Sequence, residues 1–353
     1  MADDIKAFVT SKALLAAVVY RIPDILAAHG PLTVSDICSK SEPPISPSQT
    51  EPLLQLLCSL GIFTLDITSS TFANSPASTL LTRFHWTQWY RWVSVYPGPF
   101  YELFTHLPSA LPESESRSAL QIARGAVADT PTYALLGKEP WYADLQGMMA
   151  AGATAQAPGM LKDYDWGDMA KGGRDSAVCD LGGGDGTFMA ALLGANEGMY
   201  GAVMELERMA NVAKEKIFGE NGRLAGVKER MIDIHAGDFF NEVPSYSNYV
   251  IRWTLHNWGD VDAEKILKKI RGALINREGS RLCIVESVLA DGGGGRLGRP
   301  ALYGSIVMAV GGKGGMERTE KQWEALAEHA GWMVAGIYGL RNCIPSIIDL
   351  RPA

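Results

Sequence analysis

The sequence predicts an α/β protein, a doubly wound parallel sheet preceded by an N-terminal helical domain. Three observations carry that prediction. From Lys171 onward, short apolar runs alternate with helical patterns, as expected of a parallel sheet with crossover helices. Within this region Val178-Cys179-Asp180-Leu181 runs into glycines at 182, 183, 184 and 186, and Phe188, Ala190, Leu192 and Leu193 then open a helix. Strand, glycine turn and helix in that order form the nucleotide site of doubly wound sheets. The first 110 residues read as helices followed by a small hairpin, the layout of a winged helix.

At 353 residues the chain buries a large core and is expected to hold two domains. Its 32 basic and 39 acidic side chains leave a net charge of -7, which argues against nonspecific binding to nucleic acid or to an anionic membrane. Asp3 and Asp4 stand where a signal peptide would be basic, and the apolar runs are too short to span a bilayer. Cys38, Cys58, Cys179, Cys283 and Cys343 are scattered, odd in number and never C-x-x-C. They are expected to be reduced core thiols of a cytoplasmic protein, with no metal site and no disulfide frame.

Taken in order, Ala13 to Tyr20 predicts an apolar helix that continues toward Ile25 and Leu26. Thr33 with Asp36, and Ser48 with Glu51, have capping-box spacing. Leu53, Leu54, Leu56, Leu57 and Leu60 give a helix a wide apolar face, stopped by Gly61. Residues 62–67 and 71–73 pair as a hairpin around Thr68-Ser69-Ser70. The helix from Ser48 to Leu60 carries no Lys or Arg, so it has nothing with which to neutralise phosphates or reach guanine edges. Its leucines suit a protein partner instead, and residues 1–110 read as a winged-helix-like dimerisation domain of a homodimer. The alternative is an ordinary helical subdomain of a monomer.

Residues 84–170 are helical and aromatic, with Trp86, Trp89, Trp92, Tyr96, Phe100 and Phe104 crowded together and prolines at 97, 99, 108 and 112. Most of these rings are expected in the core, with 111–170 serving as a connector that contributes to a substrate pocket. In 171–353 strands are expected at 177–181, 200–205, 231–236, 249–253, 282–287, 334–338 and 343–350. One intervening helix uses Ile266, Leu267, Ile270 and Leu274 on one face; another starts at Thr319, with Gln322 three residues on, and stops at Gly331. The glycine-rich runs 291–295 and 311–315 are expected to be loose loops, one of them a candidate lid, with solvated linker as the alternative.

Spacing selects the ligand of the glycine turn. A dinucleotide fingerprint requires G-x-G-x-x-G, whereas Asp180, Gly182, Gly184 and Gly186 spell D-x-G-x-G-x-G. That suits S-adenosylmethionine (SAM) better than a pyrophosphate cofactor. Glu205 ends the next apolar run, about where a ribose-binding acid is expected, ~20 residues on.

At His235-Ala236-Gly237-Asp238-Phe239-Phe240 and at Ile251-Arg252-Trp253-Thr254-Leu255-His256-Asn257-Trp258-Gly259-Asp260 the chain resembles a known family. It is similar to the class I SAM-dependent O-methyltransferases of the plant caffeate and fungal secondary-metabolite type. The likeness extends over nearly the whole chain, through the glycine turn, Glu205, Gly237–Phe240, Leu255-His256 and Gly315-Met316-Glu317-Arg318-Thr319. It implies a Rossmann-like sheet in which Gly182, Gly184 and Gly186 cradle the methionine part of SAM, beside Asp180. It implies Glu205 on the ribose hydroxyls, Asp238 and Phe239 on the adenine, and Arg252 near the cofactor. His256 falls on the family's catalytic base, Glu286 and Glu317 on the carboxylates flanking it, and Met149 and Met308 on methionines that sandwich an aromatic or polyketide-like acceptor.

The chemistry agrees from below. A phenol of pKa ~10 is protonated at neutral pH, and an imidazole of pKa ~6.5 is a competent base. A carboxylate on its other ring nitrogen fixes the tautomer and steadies the imidazolium. There are departures from the family: Glu205 replaces its usual Asp, Arg252 its usual Lys, Asn257 its usual Asp, and Glu207-Arg208 a proline-containing step. They admit an alternative, an enzyme that keeps SAM but catalyses a dehydration or pericyclic cyclisation.

Overall fold

The computed structural model describes residues 5–275, 279–290, 295–341 and 343–353. The chain forms two compact units: Met1–Thr105 with Gly137–Ala155, and His106–Leu136 with Gln156–Ala353. Among the described residues no helix is long and apolar enough to cross a membrane.

The first unit packs α1 (Ala7–Val19), α2 (Ile22–His29), α3 (Val34–Lys40) and α4 (Pro47–Ser59) beside the antiparallel hairpin β1 (Phe63–Asp66) and β2 (Thr71–Asn74). Ala17, Ile22, Leu26, Ile37, Leu54, Leu57, Phe63 and Phe72 form its core. The expected single helix through Ile25 is two, because Arg21 takes a left-handed φ of 54 and turns the chain. Thr33 caps α3 through the Asp36 amide as expected. Ser48 caps nothing: Pro47 already occupies the first helical turn, which places Ser48 inside α4. The hairpin turn is held by the Asp66 carboxylate, which accepts from the Thr68 amide and the Ser69 hydroxyl. The aromatic run stacks on itself, Trp92 against Tyr96 and Phe100 edge-on to Trp141, with ring centroids 5.6 and 6.0 Å apart. Helix α5 (Tyr142–Lys162) follows.

The second unit is built on β3 (Val178–Leu181), α6 (Thr187–Ala195), β4 (Gly201–Glu205), α7 (Glu207–Phe218), β5 (Met231–Ala236), β6 (Asn248–Arg252), α8 (Asp260–Ala273) and β7 (Arg281–Glu286). The two-residue strands β8 (Val288–Leu289) and β9 (Arg318–Thr319) flank α9 (Gly295–Gly311), and α10 (Glu320–His329), β10 (Trp332–Gly339) and β11 (Ser346–Pro352) complete it. Strand order is β10-β11-β7-β6-β3-β4-β5. Strands β3, β4, β6 and β7 are buried almost throughout, as parallel strands with both faces covered must be. The chain proceeds outward through β4 and β5, then returns to place β6 on the other side of β3. The gap between the C-terminal ends of β3 and β6 is therefore the switch point at which such sheets bind ligands.

The sheet is mixed, not wholly parallel. Strand β11 runs antiparallel to both β10 and β7, inserted between them. The 171–174 run lies within the second unit and leads into a short 3-10 turn. The 311–315 loop is held down, contrary to the expected looseness. The Lys313 ammonium donates to the carbonyls of Ala110 and Glu115, the Ser118 and Thr132 hydroxyls donate to the Gly311 carbonyl, and the Met316 amide donates to the His256 carbonyl. Of the other glycine run, 291–294 lies outside the described residues.

Gly186 caps α6 with φ 81, and a Cβ there would stand 2.8 Å from Ile217 Cδ1 on α7. Gly186→Ala is therefore expected to cost about 1–3 kcal/mol through left-handed strain and overpacking. Differential scanning calorimetry should show it as an earlier melting of the sheet unit.

Candidate active site

Two strand ends meet at the switch point. Leu181 pairs with Ile251, so Gly182 and Arg252 are the next residues out. Gly182 has φ 71, and a Cβ on it would come within 2.9 Å of Thr254 Oγ1. Its amide donates to the Met204 carbonyl. Gly184 has φ 59 and open space where a side chain would stand, a cradle that only glycine leaves free. Behind the turn, Asp185 is gripped by Lys216 and Arg223 and accepts from the Thr187 amide. Burial opposes its charge, yet Lys216 and these bonds hold its pKa below the ordinary range.

Three predicted cofactor residues stand at this turn and two more at the adjacent strand end. Asp180 is buried with Oδ1 unpartnered, and burial pushes its pKa up to about 7, against the pull of Arg252. Arg252 is half-buried over the rings of Trp253 and Phe188, with Nη1 buried and unpartnered; burial lowers its pKa. Glu205 reaches back into the turn, Oε1 accepting from the Gly184 amide at 3.2 Å and Oε2 from the Leu206 amide at 2.6 Å. Burial raises its pKa despite those bonds. The Gly237 amide donates to the Glu205 carbonyl, which brings Asp238 and Phe239 to the adjacent strand end. Asp238 there accepts from the Phe240 amide.

Beyond β6 the chain turns sharply at Trp253, whose φ of 48 lies in the left-handed region. A 3-10 turn, Leu255–Asn257, then carries His256. Glu286 ends β7, is fully buried, and its Oε1 accepts from the amides of Thr254 and His256 at 2.8 and 3.3 Å. Its Oε2 lies 3.2 Å from His256 Nδ1. Glu317 Oε1 lies 2.9 Å from the same nitrogen, and its amide donates to the Ser305 hydroxyl on α9. The three residues are 6, 0 and 3 % exposed in the order His256, Glu286, Glu317. Two acceptors facing Nδ1 place the ring proton there and leave Nε2 with its lone pair. Burial works against the imidazolium, but the two glutamates overcome it and raise the His256 pKa; burial also raises that of Glu286.

The ligand atoms of His256, Glu286 and Glu317 all lie within 4.8 Å of one another. Met308 sits on α9, half-buried against the 311–315 loop, with its carbonyl and Cβ close to Gly315. Met149 lies in the first unit, half-buried on α5. Sequence reasoning missed Thr254, Asp185 and Arg318, whose signals are long-range partners. It also singled out Asn257 as anomalous, whereas the Asn257 amide donates to the Thr254 carbonyl and closes the turn, a bond that a carboxylate cannot donate.

Comparison with known proteins follows the same lines. A family model described as an O-methyltransferase domain matches residues 166–333, and one described as an O-methyltransferase dimerisation domain matches residues 3–83. The O-methyltransferase verK of Clonostachys rogersoniana is 37% identical over 352 residues, which is 100% of this chain and 84% of the relative. The O-methyltransferase sirM of Leptosphaeria maculans is 38% identical, over 99% of this chain and 82% of its own length. In fold, human N-acetylserotonin methyltransferase in complex with SAM superposes with a TM-score of 0.85, at 23% identity, covering 100% of this chain and 96% of that one. The chain belongs to the SAM-dependent O-methyltransferases, of the fungal secondary-metabolite type.

Proposed function

We propose that the chain transfers the methyl group of SAM to a hydroxyl of a phenolic or enolic small molecule, with His256 as the general base. One observation carries the reading: two buried carboxylates face one ring nitrogen of His256. With its proton held on Nδ1, Nε2 is free to take the acceptor's proton. The positive charge that then arrives on the ring is shared by Glu286 and Glu317.

The residues of the turn fit the methyl donor. The open space at Gly184 and the buried orphan atoms Asp180 Oδ1 and Arg252 Nη1 are what a ligand with an ammonium and a carboxylate would fill. We assign Gly182, Gly184 and Gly186 to its methionine chain, Asp180 and Arg252 to the charged ends, Glu205 to the ribose, and Asp238 with Phe239 to the adenine. When bound, SAM supplies a methyl group on a sulfonium leaving group, so the chain has to supply alignment and proton removal. Met308 is assigned to the acceptor ring in the second unit and Met149, by family likeness, to the same role. The first unit is assigned to a homodimer, in keeping with its dimerisation-domain match and with exposed Phe8, Val19, Leu60 and Ile67.

His256→Ala should lower kcat about 10²- to 10⁴-fold while calorimetry still shows S-adenosylhomocysteine (SAH) binding as in the wild type; normal turnover would refute the base assignment. Substrate conversion without SAH formation would favour the non-methylating alternative. The acid limb of kcat/KM should lie above the ordinary histidine value of ~6.5, because only neutral His256 accepts a proton and the glutamates raise its pKa. Glu317→Gln removes one of them and should move that limb to lower pH. Glu205→Ala should weaken SAH binding about 10- to 100-fold, the value of charge-assisted bonds to the ribose.

A further inference from the structure

We propose that Arg318 is a positioning residue for the reaction: its guanidinium clamps the turn that carries His256 and holds the ring against Glu286 and Glu317. The inference rests on His256 being the base.

Arg318 is 0 % exposed, and arginine is almost never fully buried unless paired. Its three side-chain hydrogen bonds to described residues serve one short segment. Nη1 donates to the Leu255 carbonyl at 3.4 Å, Nη2 to the Trp258 carbonyl at 2.8 Å, and Nε to Asp260 Oδ1 at 2.9 Å. Leu255 and Trp258 bracket His256, so the fork grips the 3-10 turn on both sides. The guanidinium also lies over the Trp323 ring, 5.2 Å from its centroid, which fixes the plane of the fork.

The backbone of the same residue sets the spacing of the carboxylates. Arg318 pairs with Val288 in the parallel β8–β9 ladder; Val288 is two residues past Glu286, and Arg318 is one past Glu317. A single residue thus ties together the base turn and both carboxylate-bearing segments. A rigid planar fork can do this, whereas a lysine, a point charge on a flexible stem, cannot.

Its charge acts on the same ring. The charged groups facing His256 are Glu286 at the end of β7 and Glu317 and Arg318 on and beside β9. Among the described residues, helix α9 brings Gly304 and Ser305 against Glu317, and neither titrates. The glutamates favour the imidazolium and Arg318 opposes it, so the clamp also limits how far the ring is held protonated.

The test uses the full chain with Arg318→Gln, Arg318→Lys and Asp260→Ala, beside His256→Ala. SAH calorimetry reports whether the cofactor turn is intact. Arg318→Gln should lose about 10²-fold in kcat at unchanged SAH affinity, with the acid limb of kcat/KM moved to lower pH, because the ring loses its register with the two glutamates, whose pull on its pKa exceeds the opposing one of Arg318. Arg318→Lys keeps the charge but not the fork, so it should recover little of kcat and leave the limb at lower pH. Asp260 is 63 % exposed at its side chain, so Asp260→Ala removes only the outer anchor and should lower kcat less. Wild-type kcat and limb in Arg318→Gln would overturn the clamp, as would SAH binding lost in step with kcat. Should that variant fail to fold, unchanged kcat in both Arg318→Lys and Asp260→Ala overturns it instead. Normal turnover in His256→Ala overturns the base assignment itself, whereas an inactive His256→Ala beside an unaffected Arg318→Gln overturns only the clamp.

Discussion

Two carboxylates buried around one imidazole nitrogen are the constraint to which the rest of the sheet unit answers. Taking one carboxylate out of water is costly, and taking out two side by side is costlier. The fold offsets that cost with specific partners. Glu286 Oε1 receives two backbone amides from the turn that carries His256 and Glu317 Oε1 bonds His256 Nδ1, while Oε2 of each stays buried without a hydrogen bond. Because Glu286 and Glu317 lie 30 and 61 residues from His256, no local structure could gather them. Only the stacking of β6 beside β7, with β9 laid against β8, brings all three to one atom.

The glycine turn and the turn that carries His256 are parts of one mechanical unit. Thr254 shows this most directly. Its amide bonds Glu286, and its hydroxyl donates to the Arg252 carbonyl and stands where a Cβ on Gly182 would have to go. A shift of the turn that carries His256 would therefore press on the glycine turn. From the other side, Asp185 and Gly186 lock that turn to α7 through Lys216, Arg223 and Ile217. Alignment of two reactants to within fractions of an ångström needs this kind of bracing.

Much of this arrangement was legible in the sequence, for physical reasons. Glycines at 182, 184 and 186 advertise left-handed backbone because few other residues tolerate it. Strand periodicity located all seven strands of the main sheet to within a few residues. What the sequence concealed was pairing at a distance. Apolar alternation encodes a strand but not its direction or neighbours, so the antiparallel insertion of β11 was invisible. Arg318 stood in the sequence only as part of the 315–319 block, and its partners lie 58 to 63 residues away. The glycines of 311–315 suggested mobility, but the tethers from residues 110–132 outweigh their backbone freedom. Arg21 and Trp253 take left-handed conformations that no side-chain preference announces.

The place of β11 bears on how the enzyme is made. Glu286 pairs with Ser346, so the strand bearing a proposed catalytic carboxylate gains its second neighbour only when the final stretch of the sheet leaves the ribosome. Until then β7 is an open edge, the kind of surface that invites wrong partners. A premature stop shortly before residue 346 would yield a chain in which every site residue had been translated, yet Glu286 would lie on an unprotected border of the sheet.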